Sequence, residues 1–127
     1  MIIRPLKTRV FIEGENLIDL ITKYIKRLPE NSVLVVTSKI VSLAEKRTAT
    51  VKNIQTKVEL IRKESQYALP TKLVWLTIKD GMVMATAGID ESNANGKLIL
   101  LPKDSFKSAY KLRMTLKKLV ARYVNCL

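Results

Sequence analysis

Leu73-Val74-Trp75-Leu76-Thr77-Ile78-Lys79-Asp80-Gly81-Met82-Val83-Met84-Ala85-Thr86 is the stretch that sets the fold class. Two strand-like runs, Leu73 to Ile78 and Met82 to Thr86, meet at Asp80-Gly81. Asp-Gly suits a type I′ turn, whose two central residues both need φ > 0, so the spacing predicts a β-hairpin. A polar loop follows, Ala87-Gly88-Ile89-Asp90-Glu91-Ser92-Asn93-Ala94-Asn95-Gly96, dense in side-chain acceptors. A short strand from Leu98 to Leu101 and Pro102 then lead into a helix running from Asp104 to Tyr123. On that helix Phe106, Ala109, Leu112, Leu116, Leu119, Val120 and Tyr123 share one face, while Lys103, Lys107, Lys111, Lys118 and Arg122 share the other. Trp75 and Phe106 are expected in the core.

Upstream of the hairpin, Ile2 to Ile12 reads as a strand or a strand plus turn, with Pro5 placing it at an edge or breaking it early. Leu17, Leu20, Ile21, Tyr24 and Leu28 recur at helical spacing and predict an amphipathic helix over 16–28, stopped by Pro29. Val33-Leu34-Val35-Val36 is the pattern of a strand buried on both faces. A short helix from Ile40 to Ala44, a strand from Arg47 to Val51 and a second helix over 56–68 complete the reading. There is no repeat, low-complexity tract or linker. The expectation is a single α+β domain over residues 1–127, with a mixed or antiparallel sheet and amphipathic helices. At the carboxyl end Asn125 can turn the chain, but Val124, Cys126 and Leu127 are apolar without a capping glycine and read as a strand cut off as it begins, so the chain is expected to be the front part of a larger fold.

Composition excludes several chemistries. The 127 residues contain no histidine and one cysteine, which removes Ser-His-Asp and Cys-His nucleophile systems, internal disulfides and Cys-cluster metal sites. Any metal must then be a hard cation held by oxygens, Mg²⁺ or Mn²⁺. With 47% apolar and 27% charged residues the composition is globular. No apolar run approaches the roughly 18–20 residues that span a bilayer, and no signal-peptide layout is present. A soluble cytoplasmic protein with no membrane partner is expected.

Two loops can carry chemistry. Thr37-Ser38-Lys39 lies where an apolar run passes into a helix, and its hydroxyls, ammonium and free N–H groups can cradle a phosphate or carboxylate. Ser and Thr are equally at home there as plain helix caps. Gly88-Ile89-Asp90-Glu91-Ser92-Asn93 can supply oxygen ligands to Mg²⁺ or Mn²⁺, or can be a surface turn whose side chains satisfy their own backbone. The formal net charge of +12 and the basic helix face offer a second functional class, a non-catalytic domain binding nucleic acid or another anionic partner.

Three strings resemble the coenzyme F420 γ-glutamyl ligase family: Val33 to Glu45, Ala87-Gly88-Ile89-Asp90-Glu91-Ser92-Asn93, and Leu98-Ile99-Leu100-Leu101-Pro102. Lys63-Glu64-Ser65, the hairpin, the acidic loop and the last helix also follow in the family's order. The likeness spans nearly all of this chain and the amino-terminal half of a complete member. It implies a GTP- and divalent-metal-dependent ligase that adds L-glutamate by an amide bond to a deazaflavin precursor through an acyl phosphate, with a homodimer as a further expectation. Carried over by position, Asp90 would be a metal ligand, and Ser38, Lys39 and Asn93 would bind the nucleotide. No catalytic residue is assigned. The chain departs from the family at Leu43, where lysine is common, at Lys46, where glycine is usual, and in residue type around Thr8 to Phe11. The resemblance places an Asp-Thr metal pair beyond Leu127, so this chain by itself is expected to be incomplete for catalysis.

Overall fold

The computed structural model describes residues 2–29, 31–91 and 96–124, with side chains up to Lys118. It is an α+β arrangement of four helices and two small antiparallel sheets among those residues. Contacts divide the chain into two compact units, Met1–Lys46 with Asp104–Leu127, and Arg47–Lys103.

The first unit holds α1 (Leu17–Tyr24), α2 (Ser38–Ala44) and the last helix (Ser105–Val124). Its core is Phe11, Leu17, Leu20 and Ile21, against which Leu34, Val36, Val41, Leu112 and Leu116 pack. Asn16 caps α1 by accepting from the Ile18 and Asp19 N–H groups, which satisfies donors a helix start leaves open. The helix expected over 16–28 ends earlier, at Tyr24, with Ile25 already extended. Pro29 bars α geometry at Leu28, and exposed Lys26 and Arg27 give the last predicted turn no apolar face to bury.

Two expected strands are corrected. Residues 2–12 run without strand pairing, and Ile2, Ile3, Leu6, Val10 and Ile12 are exposed. Val33 to Val36 is not buried on both faces: Val33 and Val35 are 86% and 84% exposed, while Leu34 and Val36 pack on the core. An apolar, β-branched run becomes a strand only when a neighbour takes up its N–H and C=O groups, and no described residue does so here. Phe106, expected in the core, is 78% exposed, because α4 meets the core nearly two and nearly three turns further on, through Leu112 and Leu116.

Lys46 follows the end of α2 with φ 55°, and its N–H donates to the Leu43 carbonyl at 3.2 Å. This is the left-handed position that glycine occupies most cheaply. Lys46→Gly should therefore stabilise the chain by about 0.5–1 kcal/mol, the relief of left-handed strain less the extra freedom glycine gives the unfolded chain. Urea denaturation of the two proteins measures it.

The second unit holds β1 (Thr48–Ala49), α3 (Ile54–Lys63), β2 (Tyr67–Pro70), β3 (Trp75–Lys79), β4 (Met82–Ala85) and β5 (Leu98–Ile99); the last helix of the first unit is α4. Asn53 and Thr56 form a reciprocal capping box that starts α3. The helix expected over 56–68 stops at Lys63, because Tyr67–Pro70 instead pairs antiparallel with β3, Tyr67 opposite Ile78 and Pro70 opposite Trp75. The predicted hairpin forms, with Asp80 and Gly81 at φ 52° and 74° as a type I′ turn requires. β1 and β5 pair through Thr48 with Ile99 and Ala49 with Leu98, both shorter than predicted.

β3 inverts the ordinary alternation of a half-buried strand. Thr77 and Lys79 are buried, whereas Leu76 and Ile78 are exposed in one row each with Leu69 and Ala85, and with Tyr67 and Val83. Trp75 is half-buried and receives the Arg62 guanidinium over its ring at 5.4 Å.

Candidate functional site

The acidic loop is held in place from its first residue. Thr86, Ala87 and Gly88 all take left-handed backbone angles, φ 54°, 53° and 68°. Left-handed geometry costs a non-glycine residue roughly 1–2 kcal/mol, so two such residues in succession persist only where the surroundings impose them. Thr77 does part of this. Its hydroxyl, fully buried, accepts from the Ala87 N–H at 2.8 Å and donates to the Met84 carbonyl at 2.7 Å. The Ile89 N–H donates to Thr86 at 3.0 Å and closes the turn.

Asp90 comes next, half-buried. Its backbone exchanges two hydrogen bonds with Ile99, each 2.8 Å, and Ile99 is also the partner of Thr48 in β1. Asp90 therefore sits on a rigid strand-like bridge and not on a loose surface turn. Glu91 forms an ion pair with Lys57 of α3. Asn93, expected to contact nucleotide, lies outside the described residues, as does the expected strand onset after Val124.

Behind the loop is a charged network that motif reading alone did not reveal. Arg47 donates from Nε to the Leu101 carbonyl at 3.1 Å and from an Nη to Glu64 Oε2 at 2.5 Å. Lys79 Nζ donates to the same carboxylate oxygen at 2.8 Å and to the Glu64 carbonyl at 2.9 Å. Partial burial works to raise the Glu64 pKa, but hydrogen bonds from Lys79 and Arg47 outweigh it and leave the carboxyl below its ordinary range. The one available signal was a lysine, Lys79, on the same strand face as Trp75 and Thr77.

In the first unit, Ser38 is exposed and Lys39 half-buried at the start of α2. Thr37 has the extended backbone of an N-cap but makes no side-chain capping bond. In the stretch around Thr8 to Phe11, the Arg9 backbone N–H donates to the Tyr24 hydroxyl at 3.0 Å. The Arg9 guanidinium bonds Glu15 at 2.8 Å, and this bond, followed by that from the Ile12 N–H, holds the Glu15 carboxyl below its usual range.

The metal donors that the described part of the loop offers are the Asp90 and Glu91 carboxylates, and Glu91 is paired with Lys57. Among the described residues no three His, Cys, Asp or Glu side chains converge. Such a set fits a cation like Mg²⁺ that keeps water and phosphate oxygens in its shell, and does not fit a metal caged by protein alone. Among the described residues no helix is long and apolar enough to cross a membrane.

Comparison with known proteins agrees with the loop strings. The sequence model of the family described as F420-0:Gamma-glutamyl ligase matches residues 5–127. Coenzyme F420:L-glutamate ligase of Methanopyrus kandleri is 32% identical over 135 aligned positions, covering 91% of this chain and 53% of that protein. The protein of the same name from Methanococcus maripaludis is 28% identical over 131 positions, covering 89% and 52%. The chain thus spans about half the length of the curated relatives it matches.

Proposed function

Since the chain belongs to the F420-0:γ-glutamyl ligase family, we propose that it supplies the nucleotide- and metal-binding part of a ligase that joins L-glutamate to the carboxylate of a deazaflavin coenzyme precursor. A carboxylate is a poor electrophile, so the proposed first step is attack of its oxygen on the γ-phosphorus of GTP, releasing GDP and leaving an acyl phosphate. The glutamate amine then attacks the acyl carbon, phosphate departs with the C–O bond, and the amine loses a proton as the amide forms. In such a reaction the protein contributes positioning and charge neutralisation.

Asp90 is assigned to a Mg²⁺ or Mn²⁺ ion, whose charge would offset that of the nucleotide phosphates. Ser38 and Lys39 at the start of α2, and Asn93, are assigned to the nucleotide. The observation that supports this reading most is the Ala87–Asp90 segment, a family string whose backbone is fixed by the Thr77 hydroxyl and the Ile99 bridge. The family match favours the ligase reading over the nucleic-acid alternative drawn from net charge.

Calorimetric titration of the 127-residue chain with GTP and Mn²⁺ tests it. Wild type should bind weakly, because the chain spans about half the length of its relatives, and Asp90→Ala should bind about tenfold or more weakly still, as loss of one charged ligand implies. Equal affinity of the two proteins removes Asp90 from the site.

A further inference from the structure

We propose that Thr77 is a positioning residue for Asp90, acting through the left-handed turn at Thr86-Ala87-Gly88; the inference rests on the metal–nucleotide reading of the Asp90 loop. Three observations converge on it. The turn is strained at two non-glycine residues, and strain of this kind is kept where the surrounding structure over-determines it. The Thr77 hydroxyl is fully buried and joins Met84, before the bend, to Ala87 at its middle. Two residues beyond Gly88, Asp90 enters its bridge with Ile99, so the direction in which the turn releases the chain decides where that bridge can form.

Valine has nearly the shape of threonine but no hydroxyl. Thr77→Val leaves the Ala87 N–H, in a residue 1% exposed, without its acceptor. The turn then loses the bond that opposes its relaxation, while the β3–β4 backbone ladder, formed by other atoms, is retained. An interaction that orients a metal ligand from behind typically changes metal affinity by about 10- to 100-fold when removed. Thr77→Ser keeps the hydroxyl and should restore what valine loses.

The test uses the 127-residue chain with Mn²⁺ plus GTP as the probe, and two readouts: calorimetric affinity and amide hydrogen exchange followed by NMR. Thr77→Val is expected to open the amides of Ala87 to Asp90 and Ile99 to exchange, to keep those of the hairpin protected, and to bind about tenfold or more weakly. Thr77→Ser is expected to match wild type in both. Should valine unfold the hairpin, Thr77→Cys, near in shape and a poorer acceptor, carries the same comparison. Wild-type affinity in Thr77→Val or Thr77→Cys, together with weakened binding in Asp90→Ala, overturns the positioning role and leaves the ligand reading standing. Unchanged binding in Asp90→Ala, or none in wild type, overturns the ligand reading and the inference with it.

Discussion

Glu64→Ala is expected to destabilise the second unit by about 3 kcal/mol, the lower end of the cost of leaving one partner of a buried ion pair uncompensated. The ground for so large a figure is Lys79, 8% exposed, whose ammonium has Glu64 as its carboxylate partner and Glu64's own carbonyl as a second acceptor. Arg47 would lose the same oxygen while keeping its bond to Leu101. Glu64→Gln, which keeps an acceptor but no charge, should lose less. The network also sets a pH response. The folded Glu64 carboxyl titrates below its ordinary range, so its contribution is complete above the unfolded glutamate pKa of about 4.3 and is lost as pH falls through the folded value. Urea denaturation between neutral pH and pH 3 should show this loss in wild type and not in Glu64→Gln; parallel curves would assign the acid response elsewhere.

Gly88→Ala is expected to cost about 2–4 kcal/mol, from left-handed backbone strain and overpacking together. A Cβ at this position would lie 2.6 Å from Leu101 Cδ1, 2.8 Å from Leu101 Cγ and 3.3 Å from Met84 Sδ, at φ +68°. Leu101 is the residue whose carbonyl Arg47 holds, so it cannot withdraw freely. The double variant Gly88→Ala with Leu101→Ala should be relieved of the clash but not of the strain, and so lose less than the sum of the two single variants. Additive losses in denaturant would mean that the contact with Leu101 does not decide the cost.

Local signals in the sequence reached the elements whose determinants are local. Asp80-Gly81 dictated its own turn, Asn16 began a helix, and the spacing of Leu112 and Leu116 found the face of α4 that reaches the core. Where partners are distant in sequence the reading failed. Tyr67 and Ala68 continued a helical pattern, yet Tyr67 to Pro70 pairs with Trp75 to Ile78 as a strand. Val33 to Val36 carried every mark of a buried strand except a neighbour to pair with. β3 was misleading in another way. Its polar residues turn inward because Glu64 neutralises Lys79 and the bend at Ala87 uses Thr77.

The candidate site divides along the same line. Asp90 and its string were legible because a family pattern runs through them, and the usual glycine replaced by Lys46 was visible as a departure before its left-handed angle explained what glycine would do there. The devices that fix Asp90 were not legible. They are a hydroxyl on β3 and a bridge to β5, brought together only by the fold.

Paramagnetic broadening by Mn²⁺ tests the central claim most directly. With GTP present, NMR of the 127-residue chain should show Mn²⁺ broadening centred on the amides of Ile89 to Glu91, and Asp90→Asn should remove it. Broadening that leaves those amides sharp, or that persists unchanged in Asp90→Asn, would contradict the account.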